Sequence, residues 1–280
     1  MQQLKAVIST AGFATRFFPV SKVVNKSLLP VWDRPVIDYL ITELLAAGVR
    51  DIAVVTLPGD DQIRRYVTEV PWVRDYFTNR GWDHKYTPIA DLQQRLADVT
   101  FEWIEQPIDG RYGTAIPPML ARDWVGDSDW LLVSGDDVVL RADGGSDLAD
   151  LVAARTAAKT PAAMQVTNVP ADRVSRYGII ATRDHHGFPV LNGAVEKPAP
   201  EEAPSTLASI SRYLLGPDFF DVLAVLKPDP MTGEYLSITA LLDYAHTNPV
   251  LVHTISGDYY DCGHPGGWLE ANNAAAHLVR

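Results

Sequence analysis

Three features of the 280-residue sequence predict an α/β protein. Residues 4–57 read as strand, loop, helix and strand, which is a βαβ unit and implies a parallel sheet with helices on its faces. The same alternation continues to residue 137, through FEWIEQ, a helical stretch and WLLVSGDD. Past residue 160 strand-like runs follow one another with few helices between, which adds antiparallel strands to that sheet.

The elements follow in order. LKAVIS at 4–9 is a short apolar, β-branched run that stops at a polar loop, the pattern of a buried first strand. From Pro35 to Ala47, Val36, Ile37, Leu40, Ile41, Leu44 and Leu45 recur at helical spacing, with Pro35 suited to the first turn and Gly48 to the stop. DIAVVTL at 51–57 is a second buried strand. Residues 71–98 are polar and dotted with aromatics, a partly helical insertion. FEWIEQ (101–106) is a strand, a helix begins near Thr114, and WLLVSGDD (130–137) is an apolar strand ending in acids. AAMQVTNV, YGIIAT, FPVLNGAVE and LASISRYLL are the later strands, and GEYLSITALLDYAH and PGGWLEANNAAAHLV the closing helices. There is no internal repeat and no low-complexity tract. Residues 1–280 read as a single domain, with a first half over approximately 1–140, the helical insertion at 71–98 included, and a second half over 141–280 that ends in helices.

Composition narrows the function. Hydrophobic residues make up 47% and charged residues 21%, which suits a globular chain. The net charge of -11 and pI near 5.0 argue against a nucleic-acid binder with a basic face. Cys262 is the only cysteine, so neither an internal disulfide nor a cysteine zinc site is available, and a reducing cytoplasm fits. MQQLKAVIST is too short for a signal-peptide core, and no stretch reaches membrane length.

Within this acidic chain, AGFATRFFPVSKVVNKSLLP (11–30) gathers Arg16, Lys22 and Lys26 in a loop after the first strand, a cationic island able to take a small phosphate. In open α/β sheets ligands sit beyond the carboxyl ends of the strands, where this loop and Asp136 both fall. Neither Walker A nor GxGxxG is present. Taken singly, each signal has a bland reading: solvated loop cations, an acid capping a strand, a surface ion pair at Glu196 and Lys197, a tight turn at Gly178. His185 and His186 read as solvated turn residues, His246, His253, His264 and His277 lack metal-ligand spacing, and Cys262 reads as a packed thiol.

Together the motifs resemble the nucleoside-triphosphate:sugar-1-phosphate nucleotidyltransferases, whose usual signature is GxGTRxxPxTK, then PKxxLP, then a KP or RP dipeptide opening a helix. The resemblance runs on through EQPIDGRYGTA (105–115), VSGDDV (133–138), RYGII (176–180), AVEKP (194–198) and YYDCG (259–263), over nearly the whole chain. It looks most like the bacterial UTP:glucose-1-phosphate uridylyltransferase branch. What it implies is a Rossmann-like three-layer α/β/α nucleotidyltransferase fold with a mixed, mostly parallel central sheet. It further implies Mg²⁺-dependent transfer of a nucleotidyl group from a pyrimidine nucleoside triphosphate, UTP foremost, to a sugar 1-phosphate, glucose 1-phosphate foremost. On this reading Ala11, Gly12, Ala14, Thr15, Arg16, Lys26, Gln106, Gly110, Gly113 and Asp136 bind the nucleotide. Asp137, Tyr177, Gly178, Glu196, Lys197 and Arg212 bind the sugar phosphate, and Asp136 and Asp261 hold the metal. Arg16, Lys26, Asp136 and Lys197 carry the chemistry, as electrostatic groups and not as a base. A homo-oligomer, dimer or tetramer, is the implied assembly, with no nucleic-acid or membrane partner. The sequence departs from the pattern at Ala14 (for glycine), at Asn25 (for proline) and over GEYLSIT (233–239). A thymidylyltransferase, a glycosyltransferase using Asp136 with Asp137, and a relative that binds without turnover stay open at this stage.

Overall fold

The computed structural model describes residues 3–278. In chain order the elements begin with β1 (Lys5–Ser9), a small hairpin of β2 (Pro30–Val31) and β3 (Arg34–Pro35), α1 (Val36–Ala46) and β4 (Asp51–Thr56). Next come α2 (Gln62–Val67), α3 (Pro71–Thr78), α4 (Asp83–Arg95), β5 (Thr100–Glu105), α5 (Ile116–Leu120), α6 (Arg122–Val125), β6 (Trp130–Ser134), β7 (Asp137–Leu140) and α7 (Asp147–Ala158). The second half holds β8 (Ala162–Asn168), β9 (Gly178–His185), β10 (Phe188–Glu196), β11 (Leu207–Leu215), α8 (Phe219–Val225), α9 (Ser237–Ala245), β12 (Val250–Thr254), β13 (Asp258–Asp261) and α10 (Pro265–Leu278).

Nine strands form one sheet in the order β5-β4-β1-β6-β11-β8-β12-β10-β9. Alternation along the first strands decides which face each residue covers. Ala6, Ile8, Ile52, Val54, Leu131 and Val133 pack with Ile37, Leu40, Ile41 and Leu44 of α1 and Leu148 and Leu151 of α7. Val7, Ala53, Val55, Trp130 and Leu132 face the other way, against Phe219, Phe220 and Leu223 of α8 and Leu241 and Tyr244 of α9. Both faces are therefore buried, which is why these strands read as unbroken apolar runs.

The sheet is mixed, and parallel pairing does not dominate it. β5, β4, β1 and β6 are mutually parallel, as are β8 and β12. β11 enters antiparallel between β6 and β8, and the β9–β10 hairpin pairs antiparallel within itself and with its neighbours. The insertion folds as α3 and α4, and Arg95 at the end of α4 reaches back to the Asp38 carboxylate of α1 at 2.8 and 3.0 Å.

Three elements differ from the sequence reading. The helix expected near Thr114 begins at Ile116, with prolines in its first turn, where a missing N–H costs nothing. The helix read from GEYLSIT onward begins only at Ser237. The run WLLVSGDD is no single strand: β6 ends at Ser134, Gly135 and Asp136 turn, and Asp137 starts β7, which pairs with β13 in a separate two-stranded sheet. That break carries the acids out of the main sheet and sets Asp137 opposite Asp261.

Candidate active site

The loop after β1 is anchored before it reaches open space. Thr10 donates both its N–H (2.9 Å) and its hydroxyl (2.8 Å) to the Val55 carbonyl of β4. Ala14 lies in the left-handed region (φ 50°), which explains a glycine preference there, since a Cβ in that region costs about 1–2 kcal/mol. Its carbonyl accepts from Phe17 N–H at 2.9 Å and Ser21 Oγ at 2.8 Å, so the strained residue is held by its neighbours. Asn25 stands in for a proline by other means: at φ -60° its side chain accepts from Ser27 N–H at 2.9 Å and donates to Asp60 Oδ2 at 2.8 Å. An N-cap and a side-chain tether replace the ring, and Lys26 opens the short 3₁₀ turn that they fix.

Lys26 pairs through Nζ with Asp136 Oδ2, and Ser134 Oγ donates to the other oxygen at 2.5 Å. Burial pushes the Asp136 carboxyl up, but the Lys26 ammonium and these hydrogen bonds more than offset it and hold the group below the ordinary aspartate range. Asp261 is brought to the same spot through β13 and the bond from Cys262 N–H to the Asp136 carbonyl, 2.9 Å. Gly263 reports the convergence. A Cβ there would sit under 3.0 Å from Asp136 Oδ2 and Asp261 Oδ1 alike, so the two carboxylates share a space that only a glycine leaves free. Two carboxylates with room between them, completed by phosphate oxygens, form a donor set suited to a hard divalent cation.

A cleft of about 620 Å³ runs along the first loop, and Lys26 and Ser134, the two partners of the Asp136 carboxylate, are part of its wall. Ala11, Gly12, Ala14, Thr15 and Lys26 line it together with Gln106, Gly110 and Gly113. Gln106 Oε1 is buried with no partner, an unused acceptor in the cleft wall. Phe13, Tyr112, Thr114, Ser134 and Glu234 line the cleft too and were not singled out from sequence, although Tyr112 and Glu234 lie inside the quoted motifs RYGTA and GEYLSIT. Arg16 is exposed on its 3₁₀ turn and lies outside this lining.

Four residues expected on the sugar phosphate form a second group. Gly178 opposes Glu196 across β9 and β10, Lys197 N–H donates to the Tyr177 carbonyl at 3.0 Å, and Lys197 Nζ lies 3.4 Å from Glu196 Oε1 with both side chains exposed. The ion pair of the bland reading is thus present on a surface open to solvent.

Arg212 and Asp137 are corrections. Arg212 is fully buried, its Nη1 3.1 and 2.9 Å from the two Glu43 carboxylate oxygens and its Nη2 3.2 Å from the Asp137 carbonyl. It is a strut between α1 and β7 with no surface to offer a sugar phosphate. Asp137 turns its carboxyl inward to the Tyr259 hydroxyl, 2.7 Å away. Burial first, and the neighbouring Asp136 charge second, push it up to about 7. Cys262 is buried, and burial with the surrounding aspartates pushes its thiol up, which makes it a packed side chain.

The chain matches the family described as nucleotidyl transferase over residues 5–277. It is 33% identical over 273 residues to a UTP–glucose-1-phosphate uridylyltransferase of Pseudomonas aeruginosa, covering 96% of this chain and 94% of that one. A solved UDP-glucose pyrophosphorylase complexed with UDP-glucose superposes with a TM-score of 0.85 at 27% identity, covering 99% of each chain. A UTP-bound enzyme of the same kind from Acinetobacter baumannii gives 0.86 at 27% identity, over 98% of this chain and 93% of that one.

Proposed function

The chain belongs to the nucleotidyl transferase family, and from that premise we propose that it transfers the uridylyl group of UTP to glucose 1-phosphate, releasing pyrophosphate and forming UDP-glucose. The observation that carries this reading is the meeting of Lys26, Asp136 and Asp261 beside a cleft that Lys26 lines together with Gln106, Gly110 and Gly113.

A phosphate oxygen of glucose 1-phosphate attacks the α-phosphorus of UTP, and the bond to the β-phosphate oxygen breaks in line as pyrophosphate leaves. No proton has to be removed from the attacking group, because a phosphate monoester with a second pKa of about 6 is mostly dianionic near neutrality. Catalysis is positioning plus electrostatics. The first loop holds the triphosphate against its backbone, with Lys26 Nζ beside Gly12, where a Cβ would lie 3.9 Å from it. Lys26 exchanges its Asp136 partner for phosphate oxygens, and Asp136, already held ionised, is freed for a cation. Asp136 and Asp261 would hold Mg²⁺, which when bound neutralises charge on the triphosphate. Gln106 offers its amide to the uracil edge. Tyr177, Gly178, Glu196 and Lys197 take the glucose phosphate, and Arg16 meets the outer phosphates from its exposed turn. On this reading residues 1–280 act as one unit whose first half handles nucleotide and whose second half handles sugar.

The cytoplasm and a homodimer or homotetramer are the setting we propose; no helix of the described residues is long and apolar enough to cross a membrane. The test is pyrophosphate release by purified protein with Mg²⁺ across UTP, dTTP, CTP, ATP and GTP and several sugar 1-phosphates. UTP with glucose 1-phosphate should give the highest kcat/KM. Absence of pyrophosphate with every pair, or transfer of glucose from UDP-glucose to an acceptor, overturns the proposal.

A further inference from the structure

We infer that Tyr112 is a positioning residue for the nucleobase: its hydroxyl bolts the base-facing loop to the 229–237 segment, so that one wall of the nucleotide cleft is set from the far half of the chain. This rests on the uridylyl-transfer reading above.

The loop from Gln106 to Ala115 needs an external brace. It carries positive φ at Gly110 (92°) and Gly113 (121°), and Ile108 and Tyr112 are exposed, so little of it is fixed by burial. The brace is the segment before α9. Tyr235 N–H donates to the Tyr112 carbonyl at 2.9 Å, Ala115 N–H to the Tyr235 carbonyl at 2.8 Å, and Ser237 N–H to Thr114 Oγ1 at 2.9 Å. Gly113 lies so close to the Tyr235 backbone that a Cβ would overlap its N, C and O atoms. These contacts pin residues 112–115, Gln106 N–H is held by the Thr56 carbonyl at 2.9 Å, and the stretch between is closed only on itself, by Arg111 donating to the Asp109 carboxylate.

The Tyr112 side chain reaches past them. Its hydroxyl donates to the Thr232 carbonyl, and it covers Gly233, where a Cβ would lie 3.5 Å from the hydroxyl oxygen. The receiving turn is prebuilt by Asp229, whose Oδ1 accepts from Met231 N–H (2.9 Å), Thr232 N–H (2.8 Å) and Thr232 Oγ1 (3.2 Å). Asp229 N–H bonds the Glu234 carbonyl and Gly233 N–H the Asp229 carbonyl, each at 2.8 Å. Glu234, the last residue of this turn, lines the same cleft as Gln106 and Gly113. Tyr112 therefore joins two walls of one cleft, and losing the bond lets the base-facing wall drift while the phosphate end stays in place.

The test uses Tyr112→Phe, which keeps the ring and the backbone bonds, and Asp229→Ala, which dismantles the receiving turn. A single hydrogen bond of ordinary net strength converts to about a 2- to 10-fold rise in the Kd and KM for UTP. The expected result is that rise in both variants, with kcat at saturating UTP within about twofold, an unchanged KM for glucose 1-phosphate and an unchanged melting temperature. The double variant should bind UTP no worse than the weaker single one, because both changes break the same clasp. Unaltered UTP affinity in Tyr112→Phe, equal losses for both substrates, or additive losses in the double variant overturn the inference. Wild-type protein that binds no UTP overturns the uridylyl-transfer reading itself, and the inference falls with it; wild-type binding matched by both variants sinks the clasp alone.

Discussion

Replacing Arg212 with methionine should be among the costliest single changes in this protein, and its cost should depend on pH. The guanidinium is fully buried and meets both oxygens of Glu43, itself buried on α1, together with the Asp137 carbonyl. Methionine fills much of the volume but leaves Glu43 without its cation. Removing one partner of a buried pair costs about 3–5 kcal/mol, whereas a lost neutral hydrogen bond costs about 1 kcal/mol, so the stranded carboxylate sets the magnitude. A buried carboxyl that loses its cation can take up a proton, which places the loss near the low end, about 3 kcal/mol. At about 2–4 °C per kcal/mol for a chain of this order of size, the melting temperature falls by about 6–12 °C. Burial already raises the Glu43 pKa above the ordinary 4.5, against the downward pull of Arg212, and without Arg212 it climbs further. A carboxyl whose folded pKa exceeds its unfolded one stabilises the fold below the unfolded pKa and loses that contribution as pH rises through the folded value. The variant should therefore lose more relative to wild type at about pH 8 than at about pH 5, and adding Glu43→Gln should recover much of the loss at the higher pH. Thermal unfolding followed by circular dichroism at both pH values measures this. A drop under about 2 °C, or a larger loss at the lower pH, refutes the reasoning.

Two smaller changes probe the site. Gly263→Ala puts a methyl group between the Asp136 and Asp261 carboxylates; Mn²⁺ affinity in the presence of UTP and kcat should each fall by about tenfold or more, with the melting temperature nearly unmoved. Asn25→Ala removes the cap on the Lys26 turn and the tether to Asp60; it should cost about 1 kcal/mol in denaturant unfolding and raise the KM for UTP more than it lowers kcat.

The first βαβ unit was legible because its strands are buried on both faces and its helix carries an uninterrupted apolar stripe. Local pattern sufficed there. It failed at WLLVSGDD, where the strand ends at Ser134 although the polar residues that follow could as well have capped it; the turn is imposed by β13, which arrives from more than a hundred residues downstream to pair with β7. Arg212 and Glu43 show the same limit in the site. A single arginine in LASISRYLL looks like a ligand-binding cation, and an acid in LITELL looks solvated, until the fold sets them against each other across 169 residues. That Lys26, Asp136 and Asp261 come together follows from the motifs in which the resemblance placed them, and the structure does bring them together. Tyr112 was not legible, because its partner is a backbone carbonyl, and a carbonyl leaves no signature in sequence.

These misreadings share a cause that bears on function. Dividing the chain near residue 140 separates ligands, not folding units: Met164, Tyr213 and Phe220 share one core with Val7, Val55 and Leu132, and β11 pairs directly with β6. On the proposed function, the nucleotide half borrows its second metal acid from β13, the brace for its base-facing loop from residues 229–237, and from β11 the cation that satisfies Glu43 beneath the acidic turn. Two of these parts are tied in through backbone pairing and one through a buried charge. Lys26 and its loop are tied instead to β4, through the bonds from Thr10 to the Val55 carbonyl.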